Sequence, residues 1–126
     1  MSPKVALTPS ADWTEGQYQS WVVQRAKEFG WRVHVTLKRV RKASIVADPD
    51  WPDLEMVHPV QKRLMYAELK AEKGRMSDGQ RNVLHMLDQA GQEIHIWTPT
   101  MWEHVLVVLQ PGGGEHNIFP RQFIVP

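Results

Sequence analysis

The run Leu64-Met65-Tyr66-Ala67-Glu68-Leu69 is the tightest constraint on what this chain can fold into. Its apolar residues call for a strand inside a protein. Glu68 sits within it, and a carboxylate taken out of water without a partner is costly. The fold must therefore bring a cation or hydrogen-bond donors to Glu68. Strand side chains alternate, so Glu68 and Lys70 share one face while Leu69 points into the core on the other.

The neighbouring segments supply a frame for that strand. Leu54–His58 reads as a second strand, and Pro59-Val60-Gln61-Lys62-Arg63 turns between it and the strand over 64–70, so an antiparallel hairpin is expected. Upstream, Thr14 and Gln17 form a capping box, and Trp13 can staple against Tyr18. Tyr18, Trp21, Val22, Ala26 and Phe29 then follow at the spacing of one helical face, and Gly30 ends the helix. Alternation of Val33, Val35 and Leu37 predicts a half-buried strand over 31–37.

Downstream, 71–76 is a polar loop. Ser77-Asp78-Gly79-Gln80 is a second capping box, opening a helix with Val83, Leu84, Leu87 and Ala90 as its apolar stripe and Gly91 as its stop. Glu93–Trp97 reads as a short strand, and a last helix begins at Thr98-Pro99 or Thr100 and runs to about Leu109. Gly112-Gly113-Gly114 breaks the chain before an apolar tail with Ile118, Phe119, Phe123, Ile124 and Val125. The order is helix, three strands, helix, strand, helix. It predicts an α/β domain over 1–110, with helices flanking a small mixed sheet of about four strands, and the tail over 111–126.

Chemistry gathers at one end of the hairpin. Asp53 lies just before the partner strand, with fourteen residues between it and Glu68. Pro52 fixes its own φ and restricts Trp51, which gives Asp53 a defined approach. Two carboxylates and an ammonium then converge. Without thiol or histidine they suit a hard cation such as Mg²⁺, which keeps several waters. Such an ion activates water and neutralises charge on a phosphate, and Lys70 supports the developing charge or orients the water. A bare Glu-Leu-Lys is common and usually solvated. The Pro-Asp opener, the hairpin spacing and the apolar surroundings set this one apart.

Other classes are excluded or unsupported. The chain contains no cysteine, so disulfides, thiolate zinc sites and cysteine nucleophiles are out. Its six histidines show no zinc spacing. Asp48-Pro49-Asp50 begins like a calcium loop but lacks the glycine and final glutamate. The triple glycine is not followed by the Lys-Ser/Thr of a phosphate loop, so no nucleotide cofactor is expected. No apolar run approaches a membrane span and no signal peptide is visible, which makes the cytoplasm the default expectation. Six tryptophans read first as core or rim anchors.

The net charge is only +1, so DNA binding must come from local patches. Lys38, Arg39, Arg41 and Lys42 form one candidate patch, and Lys73, Arg75 and Arg81 a second. Phosphate contacts from such residues position DNA without reading its sequence.

Several motifs in order resemble the VRR-NUC (virus-type replication-repair nuclease) family of the PD-(D/E)xK nucleases. They are Glu15, Phe29-Gly30-Trp31, Trp51-Pro52-Asp53-Leu54, Ala67-Glu68-Leu69-Lys70, Lys73-Gly74-Arg75-Met76-Ser77, Gln80 and the helix end at Leu87 to Gly91, across 13–109. The resemblance implies a restriction-endonuclease-like core, metal-binding Asp53 and Glu68, a catalytic Lys70, accessory roles for Glu15 and Gln80, and Mg²⁺ or Mn²⁺. It further implies likeness to phage-type stand-alone Holliday-junction resolving enzymes: homodimers cutting branched DNA in a bacterial or phage-infected cell. Glu15 and Gln80 also have ordinary readings. A first-turn glutamate suits the positive helix end, yet Glu15 shares the inward stripe of Tyr18, Val22 and Ala26, which suits a metal ligand or a group supporting one; a Gln80 reaching back to Ser77 is not free for a metal. One departure stands out: Asp50 occupies a place where the family usually has glycine. It is a different turn, an added carboxylate near the metal, or a plain loop residue.

Overall fold

The structure is a computed structural model that describes residues 8–37 and 48–115. The basic stretch Lys38, Arg39, Arg41 and Lys42 and the apolar tail lie outside the described residues. The elements are α1 (Glu15–Glu28), β1 (Arg32–Val35), β2 (Leu54–His58), β3 (Arg63–Leu69), α2 (Asp78–Gln89), β4 (Glu93–Trp97) and α3 (Trp102–Val108), the last entered through a 3-10 turn at Pro99–Met101. Both predicted capping boxes form, with Thr14 and Ser77 as caps and Gln17 and Gln80 closing them.

The four strands make one α/β sheet in the order β1-β2-β3-β4. The expected hairpin is present: β2 and β3 run antiparallel, pairing Leu54 with Ala67 and His58 with Arg63. β1 pairs antiparallel with β2, while β4 joins β3 in parallel, with Glu68 beside Ile96. A parallel neighbour needs a crossover, and α2 provides it.

Alternation divides the sheet into two working faces. Leu54, Met56, Met65, Ala67, Leu69 and Trp97 pack against Tyr18, Val22 and Ala26 of α1 and Val105 and Val108 of α3. On the other face Ile94 and Ile96 meet Leu84 and Leu87 of α2, with Met76, Tyr66 and Trp51 around them. The result is a helix–sheet–helix sandwich with a core on each side.

The tryptophans act as anchors. Trp31 and Trp97 are buried, and the Trp31 indole donates to the Leu109 carbonyl at 2.9 Å. The strand expected over 31–37 is shorter and wetter than its alternation implies. Val35 and Leu37 are 44% and 66% exposed, and β1 lies at the sheet's edge. The glycine break is packed in part. Gly113 is buried so close to the Val107 and Val108 carbonyls that no side chain fits there.

Candidate active site

The site grows from the point where the β2–β3 ladder stops. Leu54–Ala67 is the last paired position, and alternation turns Asp53 and Glu68 to the α2 face, opposite Leu54 and Ala67. The Asp53 carboxylate takes the next rung: Oδ2 accepts from the Leu69 N–H at 2.8 Å. Its backbone is tied on the other side, where the Asp53 carbonyl accepts from Thr36 N–H at 2.8 Å, and the Thr36 hydroxyl donates to the Pro52 carbonyl. The Pro-Asp segment is thus fixed by both neighbouring strands.

Glu68 is 1% exposed. The partners demanded by its burial are present. Lys70 Nζ stands 3.3 Å from Glu68 Oε2, and Gln80 Nε2 donates to the same oxygen at 3.1 Å. Lys70, itself buried, also donates to Gln80 Oε1 at 3.0 Å. Its backbone continues the parallel ladder, with Lys70 N–H donating to the Trp97 carbonyl at 3.0 Å.

Gln80 resolves the choice posed by its two readings. Its Oε1 accepts from Ser77 N–H at 3.0 Å, closing the capping box, and the same oxygen receives Lys70. The amide nitrogen remains for Glu68. One side chain therefore caps the helix and joins the carboxylate–ammonium pair, because a carboxamide has an accepting and a donating end. Its place on α2 follows from spacing: Gln80, Leu84 and Leu87 lie on one stripe.

Asp53, Glu68 and Lys70 bring two carboxyl groups and one amine to this end of the sheet. Among the described residues no three His, Asp or Glu side chains gather into a group able to hold an ion. The donor set is two carboxylates. It fits Mg²⁺ or Mn²⁺, which bind through one or two carboxylates and complete their shell with waters and phosphate oxygens. Glu15 stands exposed in the first turn of α1.

The rim is part basic and part aromatic. Lys73 and Arg75 are exposed on the loop after Lys70, which Met76 anchors in the α2 core. Arg81 pairs with Asp78 at 2.9 Å, while its buried Nε has no hydrogen-bond partner among the described residues. On the sheet beside the carboxylates, the Trp51 indole donates to Glu55 at 2.7 Å and meets Tyr66 edge to face at 5.9 Å between centroids. Partial burial, then the charge of Glu55, raises the Tyr66 phenol above its ordinary range and keeps it neutral. Sequence reasoning did not single out Trp51, Glu55 and Tyr66 as a group. The signal available was alternation, which places Glu55 and Tyr66 opposite each other one step along the face from Asp53 and Glu68.

Comparison with known proteins agrees with this architecture. The profile of the VRR-NUC domain family matches residues 13–98, more than half of the chain. A solved structure described as a VRR_NUC domain superposes with a TM-score of 0.55 at 21% identity, covering 73% of this chain and 98% of that one. No curated protein matches. The chain belongs to the VRR-NUC family and carries a nuclease-type domain.

Proposed function

We propose that the protein is a divalent-metal-dependent endonuclease that hydrolyses DNA phosphodiesters, with branched DNA as its preferred substrate and a homodimer as its working unit. The observation that carries the reading is the buried Glu68, held by Lys70 and Gln80 at the level of Asp53 on one sheet face. A binding module has no need of two carboxylates and an ammonium at such desolvation cost.

In this reading Asp53 and Glu68 hold Mg²⁺ or Mn²⁺, which supplies a water nucleophile at neutral pH and charge stabilisation at the phosphate. Lys70 sets its ammonium near that phosphate, where a fixed positive charge favours the transition state over the ground state. Gln80 holds Lys70 and Glu68 in register. Glu15 is an accessory group at most one shell further out. Lys73, Arg75 and Arg81, with Lys38, Arg39, Arg41 and Lys42, contact the DNA backbone and set its register. The dimer follows from the substrate, since a symmetric junction needs two cuts and a two-fold assembly supplies two sites. The setting is the cytoplasm of a bacterial or phage-infected cell.

One assay tests this reading. Labelled four-way junction, flap, duplex and single-stranded DNA are incubated with the protein in Mg²⁺, Mn²⁺ or EDTA. Metal-dependent cutting concentrated on the junction is expected. Cutting of ends, flaps or plain duplex alone would replace the branched substrate with those. DNA bound but never cut would make the protein an idle binding module.

A further inference from the structure

Gly79 lies in the first turn of α2, where glycine is the poorest helix former after proline. It is not among the glycines with positive φ, so backbone geometry does not require it. A side chain there would instead have to displace the Asp50 carboxylate. A Cβ on Gly79 would stand 2.5 Å from Asp50 Cγ and 2.7 Å from Oδ1, and closer still to Oδ2. The Asp50 carboxylate occupies the position of a side chain on the helix.

Asp50 is aimed there by its own loop. Its N–H donates to Asp48 Oδ1 at 2.9 Å, and Trp51 N–H donates to the Asp48 carbonyl at 3.2 Å, forming a tight turn. A carboxylate against the first turn of a helix is also electrostatically favoured. Three residues beyond Asp50 comes Asp53, and the residue after Gly79 is Gln80. The contact thus joins the loop carrying one half of the site to the helix carrying the other.

We propose that Asp50 is a positioning residue whose carboxylate, seated on Gly79, sets the spacing between Asp53 and Gln80. This gives Asp50 a role distinct from both an extra metal ligand and a plain loop residue. Its consequence for cleavage rests on the nuclease reading above; the contact itself does not.

The test is a double-mutant cycle on the full chain: Asp50→Ala, Gly79→Ala and both together. Each is followed by the Gln80 side-chain amide signals in NMR, the melting temperature, and cleavage of duplex and four-way-junction DNA across a Mg²⁺ titration. Alanine is a better helix former than glycine, so a loss in Gly79→Ala cannot come from propensity. Gly79→Ala is expected to shift the Gln80 amide signals, raise the Mg²⁺ needed for half-maximal rate, and slow cutting roughly tenfold to a hundredfold, as misplacement of about 1 Å does. The double variant, whose new methyl fills the vacated space, should recover most of that loss. Unmoved Gln80 signals in Gly79→Ala would overturn the proposal. So would single-variant losses that simply multiply in the double, or that follow melting temperature alone. If the wild type cuts no DNA, the nuclease reading falls, and the Gln80 signals by themselves decide the role of Asp50.

Discussion

Strand β3 carries two polar clusters, one part-buried and one buried, at opposite ends and on opposite faces. At its start, Arg63 grips Glu93 with two bonds of 2.6 and 3.1 Å, His95 adds a third at 2.7 Å, and the guanidinium lies 4.9 Å from the Trp31 ring centre. At its far end, Glu68 meets Lys70 at 3.3 Å and Gln80 at 3.1 Å, with Asp53 alongside. The first cluster surrounds its one carboxylate with two cationic donors, Arg63 and His95. The second holds two carboxylates against one ammonium. A forked guanidinium matched to a carboxylate is a staple; two carboxylates on one sheet face are donors that a hard cation can use.

The two ends should therefore respond in opposite ways to loss of charge. The largest effect is expected on cutting: Asp53→Asn, Glu68→Gln or Lys70→Met lowers the single-turnover rate by on the order of 10²–10³-fold or more. Asp53→Asn keeps an oxygen that can accept from the Leu69 N–H, so the variant is expected to stay folded while cutting is lost. Normal cutting by any of these variants would break the comparison. Glu93→Gln is expected to do the reverse. It loses charged hydrogen bonds worth roughly 1.5–3 kcal/mol, seen as an earlier denaturant midpoint, and cuts at the wild-type rate.

Acid sharpens the contrast. Burial pushes the Glu93 carboxyl up, but hydrogen bonds from His95 and Arg63 and their charges outweigh it, leaving the carboxyl below its ordinary value. The unfolded chain then binds the proton first. Glu93 stabilises the fold above the ordinary glutamate value, about 4.3, and that contribution fades as pH falls through the lower folded value. Melting temperature against pH should drop more steeply there in the wild type than in Glu93→Gln.

Smaller effects refine the site itself. Gln80→Ala is expected to cost roughly 10–100-fold in rate or metal affinity, the usual result of removing a group that holds metal-binding side chains. Glu15→Gln, exposed on α1, should move stability by less than about 0.5 kcal/mol and leave cutting near normal; a large loss would bring Glu15 into the metal's shell.

What could be read in advance follows the range of the forces involved. Capping boxes at Thr14–Gln17 and Ser77–Gln80 act within one helical turn, and the alternation of β2 and β3 acts between adjacent residues, so both stand out along the chain. Glu68 announced its need for partners because an isolated buried carboxylate is untenable. Which partners came was less legible. Gln80 serves Ser77 and Lys70 with one oxygen only because α2 crosses the sheet at that point. The Arg63–Glu93 clasp spans thirty residues, joined by the parallel pairing of β3 and β4, and the Asp50–Gly79 seat joins a loop to a helix. No local pattern marks such pairs. The exposed end of β1 is hidden from the sequence for the same reason, since alternation shows a strand's faces and not what covers them.

The central claim is that Asp53 and Glu68 together hold a divalent cation. Titration of Mn²⁺, followed by its paramagnetic resonance or by calorimetry, tests it without any DNA. Saturable binding to the wild type and to Glu93→Gln is expected, with binding lost in Asp53→Asn and in Glu68→Gln. Equal binding by all four proteins would contradict the account.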